Sequence, residues 1–149
     1  MREILFRGKT QQPCGEWIYG SLLTDYPLCK NEVDETVKFY YIVNGKAKEL
    51  KKVKVIPETV GQYTGINLGN EKLFEGDIVE CHEDYDDSWG YSQTSVVIAV
   101  VIWDEENFCW SFEVDKKYRQ PCNDWTWDNS FINGNIHDNP ELLKGGADE

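Results

Sequence analysis

The segment Val96–Trp103, Val-Val-Ile-Ala-Val-Val-Ile-Trp, limits what this chain can fold into more than any other. Branching at Cβ crowds the preceding turn of a helix but packs well on a pleated surface. The run is also shorter than an ordinary helix, so it predicts a strand buried on both faces. A polar turn, Asp104–Asn107, follows it. Beyond the turn Phe108, Trp110, Phe112 and Val114 alternate with smaller or polar residues, the period of a strand with one inward face. A β-hairpin is the expectation, with Trp103 and Trp110 in its core.

Similar signals recur along the chain. Glu3–Arg7 and Glu16–Leu22 are apolar or aromatic runs separated by Gly8, Pro13 and Gly15, a hairpin with a longer loop. Trp17 and Tyr19, two apart, would share one face. Asp25–Val37 is polar and reads as loop. Phe39–Val43 runs into Asn44-Gly45, a favoured pair for a two-residue type I′ turn, and Ala47–Ile56 returns to Pro57. Glu58–Asn70, with Gly61, Gly65 and Gly69, reads as structured loop holding at most a short strand. Leu73-Phe74, the turn Glu75-Gly76 and the strand Asp77–His82 come next, then an acidic aromatic loop, Glu83–Tyr91. Asp115–Asn129 is irregular, Phe131–His137 is a last strand, and Asn139 caps a helical turn that begins at Pro140. Seven or eight short strands in one mostly β domain suggest a small barrel or sandwich.

Composition narrows the class. With 149 residues, 40% of them hydrophobic, the chain can bury a single core without staples. Asp and Glu number 27 against 15 Lys and Arg, a net charge of −12, which opposes nucleic-acid binding and favours a basic partner surface. The five cysteines, Cys14, Cys29, Cys81, Cys109 and Cys122, are odd in number and irregular in spacing, unlike a secreted disulfide framework. The apolar stretch at the N-terminus is too short for a signal peptide, and no run approaches the ~20 apolar residues that span a bilayer. A soluble, intracellular protein is expected.

Chemical motifs fail at nameable positions. An EF-hand loop starting at Asp84 would need Gly at its sixth position and Glu at its twelfth, where Trp89 and Ser95 stand. His82 adjoins Cys81, and neighbours on a strand face opposite ways, so the two could not share one metal ion. No C-x-x-C pair, Gly-x-Ser-x-Gly elbow or Walker loop occurs. No catalytic residue, metal ligand or cofactor site is assigned, and buried, inert cysteines are expected. The candidate interaction surface is Trp89, Tyr91, Trp125 and Trp127, four aromatics in expected loops, with the acids Asp84, Asp86 and Asp87. The competing reading is that these rings cover the open ends of a small barrel.

Several segments together resemble a known family. Met1–Lys9, Gly15–Leu22, Pro57–Gly65, Leu73–Val79, Val101–Asp104 and Gly134–Leu143 are similar, in order, to segments of the YopX family of phage and prophage proteins. Between Gly65 and Leu73 the chain is shorter than the family pattern, and Glu83–Gln93 and Asp115–Asn129 depart from it. The resemblance implies an SH3-type barrel: N-terminal hairpins and loops over 1–71, a barrel-like core over 72–143 and a frayed tail over 144–149. It also implies the cytoplasm of a bacterial host, and it brings no reaction, cofactor or catalytic residue. The expected function is a non-enzymatic module that binds a protein or itself. The alternatives are a small-molecule or nucleotide binder using the loop aromatics and an acidic nucleic-acid mimic aimed at a host protein.

Overall fold

Among the described residues there are eleven strands, rather than seven or eight, which make up 63% of those residues, and no helix of seven or more residues. The computed structural model describes residues 2–11, 15–25, 39–45, 49–122 and 129–144. Trp125, Trp127, Cys14, Cys29, most of the expected loop Asp25–Val37 and the tail beyond Lys144 lie outside them. The chain forms two compact units, Met1–Gly65 and Ile66–Glu149. All strand pairings given below are antiparallel.

In the first unit β1 (Phe6–Lys9) pairs with β2 (Trp17–Asp25), as expected. Next to β2 stand β3 (Phe39–Asn44) and then β4 (Lys51–Val55), while β5 (Gly61–Leu68) flanks the other side of β1. The Asn44-Gly45 expectation is corrected: Asn44 is itself paired, with Lys51, so no two-residue turn at Asn44-Gly45 joins β3 to β4. A two-residue turn would have left Val53 and Val55 beyond the end of β3. The observed register sets Val53 against Ile42 and Val55 against Tyr40, and Ile42 and Val55 are buried. Gly8 lies so close to Val55 that a Cβ there would stand 2.8 Å from the valine Cγ2. A second tie joins the end of β4 to β1. The Ile56 N–H donates to the Lys9 carbonyl (2.8 Å), and the Thr59 hydroxyl accepts from the Lys9 N–H (2.8 Å).

Glu58–Asn70 is not a loop. A 3-10 turn, Pro57–Thr59, leads straight into the eight residues of β5. The glycines that suggested loop sit inside or just beyond the strand, and Gly65 takes a left-handed φ of 86° there.

In the second unit the end of β5 is followed by β6 (Glu71–Phe74), and a five-stranded sheet runs in the order β10-β9-β8-β7-β11. Its strands are β7 (Asp77–Asp86), β8 (Ser92–Asp104), β9 (Cys109–Val114), β10 (Tyr118–Pro121) and β11 (Ser130–Asn135). Leu73, Val79, Cys81, Ala99, Val101, Phe112 and Cys122 form one buried cluster. Gly76, at φ 88°, turns the chain between β6 and β7.

Several expectations change here. Glu83–Asp86 belongs to β7, leaving only 87–91 as loop, and Tyr118–Pro121 is a strand inside the supposedly irregular segment. The strand around Val96–Trp103 extends to Ser92–Asp104 and is not buried on both faces: Ala99 and Val101 are buried, whereas Val96 is exposed. Trp103 is 44% exposed at the end of the strand and meets Trp110 edge-on at 5.1 Å, so it borders the core rather than filling it. Phe108 is not in β9; it occupies the turn, 79% exposed. The expected helical turn is a 3-10 turn, Pro140–Lys144.

Neither sheet closes into a barrel among the described residues. Among the same residues no helix is long and apolar enough to cross a membrane.

Candidate functional site

The β7–β8 hairpin brings five of the seven candidate residues to one end of the second unit. Asp84 and Asp86 lie on β7, opposite Thr94 and Ser92 of β8. Partners in an antiparallel register share a face. The Thr94 hydroxyl donates to the Asp84 carboxylate at 2.7 Å, and the Ser92 hydroxyl donates to Asp86 at 3.0 Å. These two rungs carry the strand pairing through a segment with almost no apolar content.

Asp87 shapes the tip. Its Oδ1 accepts the backbone N–H groups of Trp89 and Tyr91, each at 2.9 Å, and its Oδ2 accepts from Gln93 Nε2 at 3.2 Å. On the backbone, the Asp87 N–H donates to the Tyr91 carbonyl (2.9 Å) and the Gly90 N–H to the Asp87 carbonyl (3.1 Å). A short side chain that ties down its own loop in this way favours aspartate in turns. The Tyr91 N–H first, then those of Trp89 and Gly90 and the Gln93 amide, hold the Asp87 carboxyl below its ordinary range. Gly90, at φ 80°, completes the reversal. The outcome is a fixed turn from which Trp89 (84% exposed) and Tyr91 (72% exposed) project into solvent. Trp125 and Trp127 lie outside the described residues.

Farther along the hairpin, His82 sits opposite Val96, with Nε2 3.7 Å from Glu80 Oε2 and its ring stacked on Phe131 at 5.9 Å. Cys81, its neighbour, points into the core, as the alternation of a strand requires. Among the described residues no three His, Cys, Asp or Glu side chains gather as metal ligands. The carboxylates of Asp84, Asp86 and Asp87 are instead engaged by hydroxyl, amide and backbone donors.

At the other end of β8, Asp104 does for its turn what Asp87 does for the tip. Its carboxylate accepts from Asn107 Nδ2 (2.8 Å) and from the backbone N–H groups of Glu106 (3.0 Å) and Asn107 (3.3 Å). Arg119 bridges Asp104 and Glu113, at 3.5 and 3.0 Å. Sequence reading took Asp104 only as part of a polar turn. An aspartate followed closely by Asn and then by the next strand is the signal that could have identified it.

The second unit also has an open groove of about 990 Å³ along the outer side of β8, lined by Val100, Ile102, Ile136 and Leu142 among others. Its lining includes neither Trp89 nor Tyr91.

The family model for YopX protein matches residues 5–144, nearly the whole chain. The chain belongs to the YopX family. The matched span covers both units, so the YopX match includes the hairpin tip as well as the N-terminal sheet. No curated protein and no solved structure matches this YopX chain.

Proposed function

We propose that this YopX protein is a non-enzymatic interaction module that docks a protein partner on the tip of its β7–β8 hairpin. The observation that carries the reading is the exposure of Trp89 and Tyr91 on a turn that the Asp87 carboxylate holds in place. Tryptophan and tyrosine dominate binding energy where proteins meet. A loop already fixed in its bound shape loses little entropy on association. Both rings stand in solvent rather than in a pocket, which suits an anchor that enters a partner's surface and not a clamp around a small molecule. Asp84 and Asp86 flank the rings and favour a partner with basic residues around an apolar recess.

Phage or prophage origin and the bacterial host cytoplasm are the setting of this proposal. So is an SH3-type barrel in the second unit. Its support is the strand order: after the meander β7-β8-β9-β10, β11 returns to pair with β7.

The test is site-specific photo-cross-linking in producing cells. A benzoylphenylalanine at position 89 should give a discrete adduct, with a partner or with a second copy, and the same probe at Lys144 should not. Trp89→Ala/Tyr91→Ala should lose the partner from affinity purification while keeping the wild-type melting temperature. No adduct at position 89, or an identical one at 144, overturns the proposal.

A further inference from the structure

The net charge of −12 is unevenly divided between the two units. Residues 1–65 hold ten Lys and Arg against eight Asp and Glu, a net of +2; residues 66–149 hold five against nineteen, a net of −14. The strands of the first unit sharpen the contrast. Together β2, β3 and β4 contain one acidic residue, Asp25, against Lys51, Lys52 and Lys54.

Registers decide where the lysines stand. Leu23 pairs with Tyr41 and Tyr41 with Lys54, while Val43 pairs with Lys52. Alternation therefore puts Tyr19, Leu23, Phe39, Tyr41, Lys52 and Lys54 on one face of the sheet, with the buried Ile42 and Val55 on the other. Rings and amines interleave on that outer face. Lys52 Nζ lies 4.1 Å from the centroid of Tyr41, and Lys54 Nζ lies 3.9 Å from that of Phe39. Leu23 is exposed opposite Tyr41, and Tyr19 is exposed farther along β2.

We propose that the outer face of β2, β3 and β4 binds single-stranded nucleic acid. Bases stack on aromatic side chains whatever their sequence, and lysines neutralise the phosphates between them. This face has both elements within one step of each other. A strand laid across it takes a base onto Tyr41 or Phe39 and draws the amine above that ring toward the adjoining phosphate. A duplex keeps its base faces hidden and cannot use the rings. An acidic peptide would use the lysines and leave the rings without a role. Asp25, the acidic exception, stands at the end of the face, opposite Phe39.

Fluorescence anisotropy of the full chain with labelled oligo(dT) or oligo(U) of about 20 nucleotides tests this directly. Saturable binding that weakens steeply with salt is expected, with the matching duplex bound at least about tenfold more weakly. Lys52→Glu/Lys54→Glu and Tyr41→Ala should each weaken binding by about tenfold or more, whereas Lys52→Arg/Lys54→Arg and Trp89→Ala/Tyr91→Ala should not. Ultraviolet cross-linking of the wild-type complex, which needs no variant to fold, should put adducts on Tyr41 or Phe39. Absence of binding at low salt, equal affinity for duplex, or adducts confined to the second unit overturns the proposal. So does self-association that Lys52→Glu/Lys54→Glu abolishes, since the face is then a contact between protein copies.

Discussion

The Asp77 carboxylate accepts the backbone N–H of Phe74 at 2.8 Å, and both residues are buried. This bond closes the turn through Glu75-Gly76, where the Gly76 N–H donates to the Val101 carbonyl (2.9 Å) and the Ile136 N–H to the Gly76 carbonyl (2.9 Å). One side chain thus fixes the point at which β6, β7, β8 and the end of β11 come together. Asp77→Ala leaves a buried N–H without its acceptor, which costs about 1–3 kcal/mol. Urea unfolding should show that loss as a lower midpoint with an unchanged slope, while Asp77→Asn, which keeps a side-chain carbonyl, should lose less.

Acid should weaken the β8–β9 turn. In the folded chain the Asp104 carboxyl lies below its ordinary value of 3.8, first because Asn107 Nδ2 donates to it, then through the backbone N–H groups of Asn107 and Glu106 and the charge of Arg119. A depressed folded value means that the stabilisation is complete above the unfolded value and disappears as pH falls through the folded one. Asp104→Asn removes that titration. Measured by urea midpoint, the gap between wild type and Asp104→Asn should be constant from neutrality to about pH 5 and shrink below about pH 4. A gap that widens in acid would contradict this assignment.

Phe108 adopts φ 53° in that same turn while 79% exposed, a left-handed conformation that costs a side chain of its type about 1 kcal/mol or more. Asparagine tolerates the conformation far better. Phe108→Asn should raise the melting temperature by a few degrees, and Phe108→Val should lower it, in the same thermal scan.

How far these features can be read from sequence depends on the range over which they are determined. Local chemistry marked the β8–β9 hairpin, the Glu75-Gly76-Asp77 turn and the single turn that begins at Pro140, since each is set by residues within a few positions. The length of β7 was hidden because Asp84 and Asp86 look like loop until Thr94 and Ser92 stand opposite them. Three glycines masked β5, which draws its order from pairing with β1 rather than from its own propensity. Trp103 follows the alternation of the core residues Ala99 and Val101, but its exposure depends on where the cluster ends in space. At the site, the exposure of Trp89 and Tyr91 was legible from a polar context, whereas the work of Asp87 was not. Of the aromatic and basic face of the first unit, only the run of Lys51, Lys52 and Lys54 stands together in the sequence; its pairing with the rings was hidden, because Phe39 and Lys54 meet only through the register of β3 and β4.

Cysteine chemistry should divide along burial. Cys122 is 2% exposed, and burial first, with the charge of Cys109 second, pushes its thiol up to about 12. Almost none of it is thiolate at pH 8, and the thiolate is the reactive form. Iodoacetamide labelling of the native chain, mapped by peptide mass spectrometry, should modify the half-exposed Cys109 well before Cys122 and the buried Cys81. In denaturant all three should label alike. Equal native rates for Cys109 and Cys122 would show that the cluster around Phe112 opens readily.

The hairpin tip offers the sharpest separation of order from stability. Asp87 is half-buried at most, and it faces no hydrophobic cluster, so its removal should leave the thermal midpoint nearly unchanged. Its two oxygens nevertheless hold the amides of Trp89 and Tyr91 and the side chain of Gln93. In Asp87→Ala those two amides should exchange with solvent markedly faster, with no change at Val97–Val101. Asp87→Asn should fall between, because its single carbonyl oxygen can still accept the backbone pair. If fixed rings are what a partner recognises, cross-linking from position 89 should fall in parallel with amide protection across the three proteins. Unchanged cross-linking in Asp87→Ala would mean that the rings act as flexible contacts and that preorganisation contributes nothing to docking.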